Sequence, residues 1–134
     1  MRTADYDRIA LEVIVPYGQR VGKTTFATAE MIGAISMVAK LLDKPLFRAT
    51  RPDITRHLGV QRSTKNNKQP TADSQIITIL GKRFAKDYHN NRGEGTKDNP
   101  DYFYGFKADI WQAFAVAVYY IDTKVNNKQI KLEV

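Results

Sequence analysis

Between residues 9 and 50 the apolar residues of this chain change their spacing twice, and that change limits the folds open to it. Residues 9–15 (IALEVIV) form a short β-branched apolar run ended by Pro16 and Gly18. The run predicts a strand near 8–15, buried on both faces. From Thr24 to about Asp43 the spacing becomes helical, through Phe26, Ile32, Ile35, Val38 and Leu42, with Thr24 or Thr25 available as the cap. Alanines at 27, 29, 34 and 39, with Gly33, keep this helix slim enough for close packing. Residues 45–50 (PLFRAT) then read as a second strand. Two strands joined by a helix long enough to carry the chain back pair in parallel, so the predicted class is α/β.

Helices dominate the rest of the chain. Residues 52–58 (PDITRHL) form a short helix with Pro52 in its first turn, a Thr50/Asp53 capping box and Gly59 as its stop. A polar, basic loop occupies 59–70. Helical spacing returns from Thr71 to about Tyr88 through Ile76, Ile79, Leu80 and Phe84. Residues 89–105 (HNNRGEGTKDNPDYFYG) have loop composition, and 108–122 (ADIWQAFAVAVYYID) form an alanine-rich helix whose Trp111 and Tyr119 are expected in the core. In the tail, 123–134, the alternation KQIKLEV is either an edge strand or a frayed end. The 134 residues fit a single domain, 1–134. Two strands make a thin sheet, so a further strand, a partner or the tail is expected to complete it.

Composition narrows the function. There is no cysteine, which removes disulfides, thiol catalysis and Cys-ligated zinc. The first residues lack the layout of a secretory leader and no window is apolar enough to span a bilayer, so the expectation is a cytoplasmic protein without a membrane. Twenty-one Lys and Arg against fourteen Asp and Glu leave a net charge of +7. From Arg48 to Lys68 there are six basic residues (Arg48, Arg51, Arg56, Arg62, Lys65, Lys68) and one acid, Asp53. Arg20 and Lys23 stand in the loop after the first strand, on the side where α/β proteins place their sites. A polyanion such as nucleic acid is one partner for such segments; a solvated basic surface is the other reading.

Two carboxylates stand out. In IALEVIV, Glu12 shares one face with Ala10 and Ile14. A carboxylate there is costly unless it is paired, hydrogen-bonded or metal-bound, or unless the strand is an edge and the side chain meets water. Asp109 opens the last helix, where an acid is favoured by the helix dipole as well as available for a ligand. Two such oxygens brought together would suit magnesium. The loop GQRVGKTT resembles a phosphate-binding loop, but Gly18 is followed by three residues rather than four before Gly22, Lys23 and Thr24. Asp122, ending VYYID, is a second coincidence with nucleotide hydrolases. His57 and His89 lack a second histidine at ligand spacing, and the cluster Tyr102, Phe103, Tyr104, Phe106 beside Lys107 either stacks on bases or packs its loop on the last helix.

Taken in order, ALEVIVPYGQRVGKTTFATAEMIGAI, PLFRATRPDITRHLGV, the basic loop with TADSQIITIL, and KADIWQAFAVAVYYID resemble RuvC-like Holliday-junction resolvases of the RNase H-like superfamily, over about residues 8–122. The resemblance implies an RNase H-like fold with a reduced parallel sheet flanked by helices. It implies a magnesium-dependent (or manganese-dependent) endonuclease on four-way DNA junctions, with Glu12 and Asp109 as catalytic metal ligands. It implies DNA contacts from Arg20, Lys23, Arg51, Arg56, Arg62, Lys65, Lys68 and Lys107, and a homodimer through helix 24–42. There are two departures. The family's first catalytic Asp lies in strands that would precede Met1, so a truncated, poorly active nuclease is expected. The position of another family carboxylate is Phe106; Asp98, Asp101 and Lys107 are nearby candidates to contribute. A non-catalytic DNA-binding protein on the same fold is the alternative, and a phosphate-loop hydrolase the third reading.

Overall fold

Two five-residue strands, Ile9–Val13 (β1) and Leu46–Thr50 (β2), pair in parallel with Ile9 opposite Leu46, Glu12 opposite Ala49 and Val13 opposite Thr50. They belong to a computed structural model that describes residues 7–13 and 22–125. Between them runs Lys23–Leu41 (α1), and after them come Arg51–Leu58 (α2), Ala72–Phe84 (α3) and Ala108–Tyr120 (α4). Among the described residues the protein is thus mixed α/β, with a two-stranded parallel sheet and four α-helices. The described residues divide into two compact units, one of residues up to Asp53 with those from Tyr120 onward, the other Ile54–Tyr119.

In the first unit the pleat sends alternate side chains to opposite faces. Phe47, on the face of Ala10, Glu12 and Ala49, packs its ring 5.0 Å from that of Tyr120, whose hydroxyl accepts a 3.0 Å bond from Arg8. Arg48, on the opposite face, donates to Ser36 Oγ of α1 at 3.1 Å. The apolar run predicts β1 buried on both faces; all five of its residues are instead half-buried. In a two-stranded sheet the run is left partly open along its length.

α1 begins earlier than its spacing predicts. Gly22 occupies the N-cap without a side-chain bond, so neither Thr24 nor Thr25 caps it, and Thr28 bonds back to the Thr24 carbonyl instead. At the other end Asp43 adopts φ 53°, with its amide on the Lys40 carbonyl and the Lys44 amide on that of Ala39. That is a Schellman closure with an acid in the place usually taken by glycine. α2 closes the same way, with the expected Gly59 at φ 79°, and at its start one arm of the Thr50–Asp53 box is made: Thr50 Oγ1 accepts the Asp53 amide at 3.4 Å and donates to Asp53 Oδ2 at 2.7 Å.

The core of the second unit is aromatic. Ile76 and Leu80 of α3 and Phe103 lie at 0–1% exposure. Phe103 meets Trp111 at 4.6 Å, Phe106 meets Trp111 at 5.1 Å, and Phe84 meets Phe114 at 5.1 Å. Fully burying a ring of this size contributes roughly 1.5–3 kcal/mol. Trp111 is buried as expected. α3 ends at Phe84 rather than near Tyr88, because Ala85 turns to an extended conformation and Tyr88–Asn90 form a single 3₁₀ turn. That turn lays the Tyr88 ring against the bare backbone of Gly81. α4 likewise stops short of Asp122, passing into one π-helical turn, Ile121–Val125. From residue 126 the tail with its KQIKLEV alternation lies outside the described residues.

Candidate functional site

Both parallel strands end beside each other, and Glu12 is the last residue but one of β1. Because Glu12 stands opposite Ala49 and side chains alternate, the residue two beyond Ala49 returns to the same side. That residue is Arg51, the first of α2, and its Nη1 lies 4.0 Å from Glu12 Oε1. Glu12 is therefore paired rather than lone. Both side chains keep access to water, 31% exposed for Glu12 and 40% for Arg51, so the pair contributes at most about 1 kcal/mol.

The same geometry bears on magnesium. Glu12 offers a hard oxygen donor, but a guanidinium stands beside it and would repel a cation placed there. Among the described residues no three His, Cys, Asp or Glu side chains gather where they could hold a metal ion. Among the described residues the Glu12 environment is an incomplete donor set for magnesium, which takes octahedral oxygen coordination.

Asp109 is exposed in the first turn of α4, where its charge complements the helix dipole, and Lys107 is exposed just before it. Glu12 belongs to the first unit and Asp109 to the second. Phe106, at the position where the resemblance would have a carboxylate, is committed to the aromatic core through Phe103 and Trp111. Asp101 is a structural acid: its Oδ2 accepts the amides of Gly93 at 2.6 Å and Glu94 at 2.9 Å. Lys23 is exposed at the start of α1, while Arg20 and the rest of the first half of the GQRVGKTT loop, residues 18–21, lie outside the described residues. Asp122 sits in a π-helical turn, not at the end of a strand, which removes the second coincidence with nucleotide hydrolases. His57 packs edge-on against Tyr119 at 5.3 Å.

The basic loop 59–70 has an order that its composition does not announce. Gln75, in the first turn of α3, reaches back to both of its ends. Its Oε1 accepts the Gln61 amide at 2.8 Å, and its Nε2 donates to the Gln61 carbonyl at 2.9 Å and to the Pro70 carbonyl at 2.8 Å. One rung further out, Ser63 Oγ accepts the Gln69 amide at 2.8 Å and donates to the Gln69 carbonyl at 3.2 Å. At the tip the Thr64 amide bonds the Asn67 carbonyl at 2.9 Å, and the Asn67 amide bonds Thr64 Oγ1 at 3.1 Å. Three successive rungs turn a polar loop into a finger with a fixed backbone, without a regular ladder. The helix that carries Gln75 is itself capped by Thr71, whose Oγ1 accepts the Ser74 amide at 3.2 Å.

On this finger Arg62, Lys65 and Lys68 are exposed, and Arg56 is exposed in the last turn of the preceding helix. No acid occurs between Asp53 and Asp73. Gln75 and Ser63 are the residues that sequence reasoning misses. Their signal is faint: a glutamine in a helix's first turn, after a loop rich in small polar residues.

No protein-family model, no curated protein and no solved structure matches this chain.

Proposed function

We propose that this protein binds DNA, holding backbone phosphates with Arg56 and the finger residues Arg62, Lys65 and Lys68. The observation that carries the reading is the braced finger. Ordering a loop on binding costs entropy, and here the hydrogen bonds from Gln75 and Ser63 meet that cost before the ligand arrives. Phosphate contacts of this kind are independent of sequence and weaken steeply with salt. Arg51, half-buried beside Glu12, is a further contact. Arg20, Lys23 and Lys107 complete the basic set that the resolvase resemblance assigns to DNA.

Cleavage is the second reading, favoured by the position of Glu12 at the carboxyl end of parallel strands, where α/β proteins place their sites. In it the chain acts as a resolvase-type endonuclease on four-way junctions, with Glu12 and Asp109 as ligands of magnesium or manganese. The guanidinium of Arg51 beside Glu12 ranks this below simple binding.

One experiment separates the two. Binding to a four-way junction and to linear duplex is measured across a salt series, with and without magnesium, alongside assay for cleavage. Binding that falls with salt is expected, and replacing Arg62, Lys65 and Lys68 by Ala should make the log–log slope shallower by roughly 3, about one unit per phosphate contact. Absence of binding to either DNA, or a slope unmoved by the three substitutions, rejects the reading. Metal-dependent nicking of the junction that is lost in both Glu12→Gln and Asp109→Asn would instead establish the nuclease.

A further inference from the structure

The aromatic segment before α4 is divided by the fold into two inward rings and two outward ones. Phe103 is 1% exposed and Phe106 half-buried, both locked against Trp111. Tyr102 and Tyr104, which alternate with Phe103, are 60% and 44% exposed. Tyr102 is nevertheless held in place. Its ring meets that of Phe103 edge-to-face at 4.7 Å, and its amide donates to Asn91 Oδ1 at 2.8 Å. The loop around it is braced in turn: Asp101 takes the amides of Gly93 and Glu94, and Asn91 Nδ2 donates to the Asp87 carbonyl at 2.7 Å. A large ring kept in water on a stiff loop gains little burial for the fold.

The same loop lines an open polar depression of about 490 Å³, large enough for a nucleotide, with Asn90, Asn91, Arg92, Glu94, Asn99 and Asp101 in its wall. Asn90, Asn91 and Asp101 brace the loop, while the guanidinium of Arg92, the carboxylate of Glu94 and the amide of Asn99 are groups that pair with the donors and acceptors on a base edge. Glu94 and Asp101 would repel a phosphate there, so the wall suits a base rather than a backbone. Arg92 is held over the Tyr88 ring at 5.6 Å, which keeps its guanidinium in the loop.

We propose that residues 88–104 form a second nucleic-acid site that receives an unpaired nucleotide, its base stacked on Tyr102 and its polar edge bonded by Arg92 and Asn99 of the adjoining depression. This rests on the DNA-binding reading and adds a preference to it: DNA with an unpaired stretch over fully paired duplex. The finger supplies charge and the tyrosine supplies the choice.

The test compares, by fluorescence anisotropy, a blunt duplex with the same duplex carrying a single-stranded extension. The extension is expected to tighten binding by about tenfold or more, the scale of one base–aromatic stack. Tyr102→Ala should abolish that gain and leave blunt-duplex binding unchanged, whereas Tyr102→Phe, which keeps the ring, should retain it. A gain that survives Tyr102→Ala, an extension that brings no gain at all, or a Tyr102→Ala effect on oligomeric mass with none on DNA overturns the proposal. If blunt duplex still binds with the expected salt slope in those cases, the DNA-binding reading stands without this site; if neither DNA binds, both fall.

Discussion

Gly81 shows how one residue can carry a constraint that its neighbours in sequence do not announce. A glycine inside a helix is disfavoured by about 1 kcal/mol relative to alanine, so α3 would be a better isolated helix without it. It is buried because Tyr88, returning in the 3₁₀ turn, lays its ring where a Cβ would stand. Gly81→Ala is therefore expected to lower stability by about 1–3 kcal/mol despite the better helix propensity, read as a fall in the denaturation midpoint. A neutral or stabilising result would mean that the ring moves aside freely. Glu12 is the complementary case. Its oddity is legible from the apolar run around it, but its partner is not, because Arg51 reaches it only through the register of two strands joined by α1. The Thr50–Asp53 box is legible, since both residues lie within one turn.

Among the elements, α1 and the finger mark the limits of pattern reading. Helical spacing places α1 correctly, yet the apolar residues that define the spacing are not all covered. Ile32 and Ile35 are half-buried, while Phe26, Val38 and Leu42 are exposed; outside that set Ala39 is buried and Met37 and Leu41 are exposed, Leu41 to 77%. The finger has no periodicity to read, and its order comes from side chains rather than from a backbone ladder. Gln75 bridges to residue 61 across fourteen positions. Truncating it in Gln75→Ala removes bonds to the Gln61 amide and the Pro70 carbonyl together, each worth about 1 kcal/mol. The Gln61 amide should then exchange with solvent at least about fivefold faster, and DNA affinity should fall although no charge is lost. Unchanged exchange at that amide would show that the finger is held by other means.

At the scale of the molecule, among the described residues no helix is long and apolar enough to cross a membrane. Among the described residues one side of α1 is apolar and exposed, and we propose that it is the homodimer face that the resolvase resemblance implies. Phe26, Met37 and Leu41 recur at helical spacing with Gly33 among them, a slim position that permits close approach of another helix. Met37→Glu is expected to convert a dimer to a monomer, measured as mass by light scattering; a monomer in the unaltered protein rejects the proposal. Local spacing and turn chemistry were enough to locate the strands, the four helices, the capping box and the Gly59 stop, because each depends on residues only a few positions apart. The partner of Glu12, the bracing of the basic loop, the exposed side of α1 and the division of the aromatic segment were decided in three dimensions. Each depends on contacts between groups distant in sequence, and neither periodicity nor composition encodes which of those groups will meet.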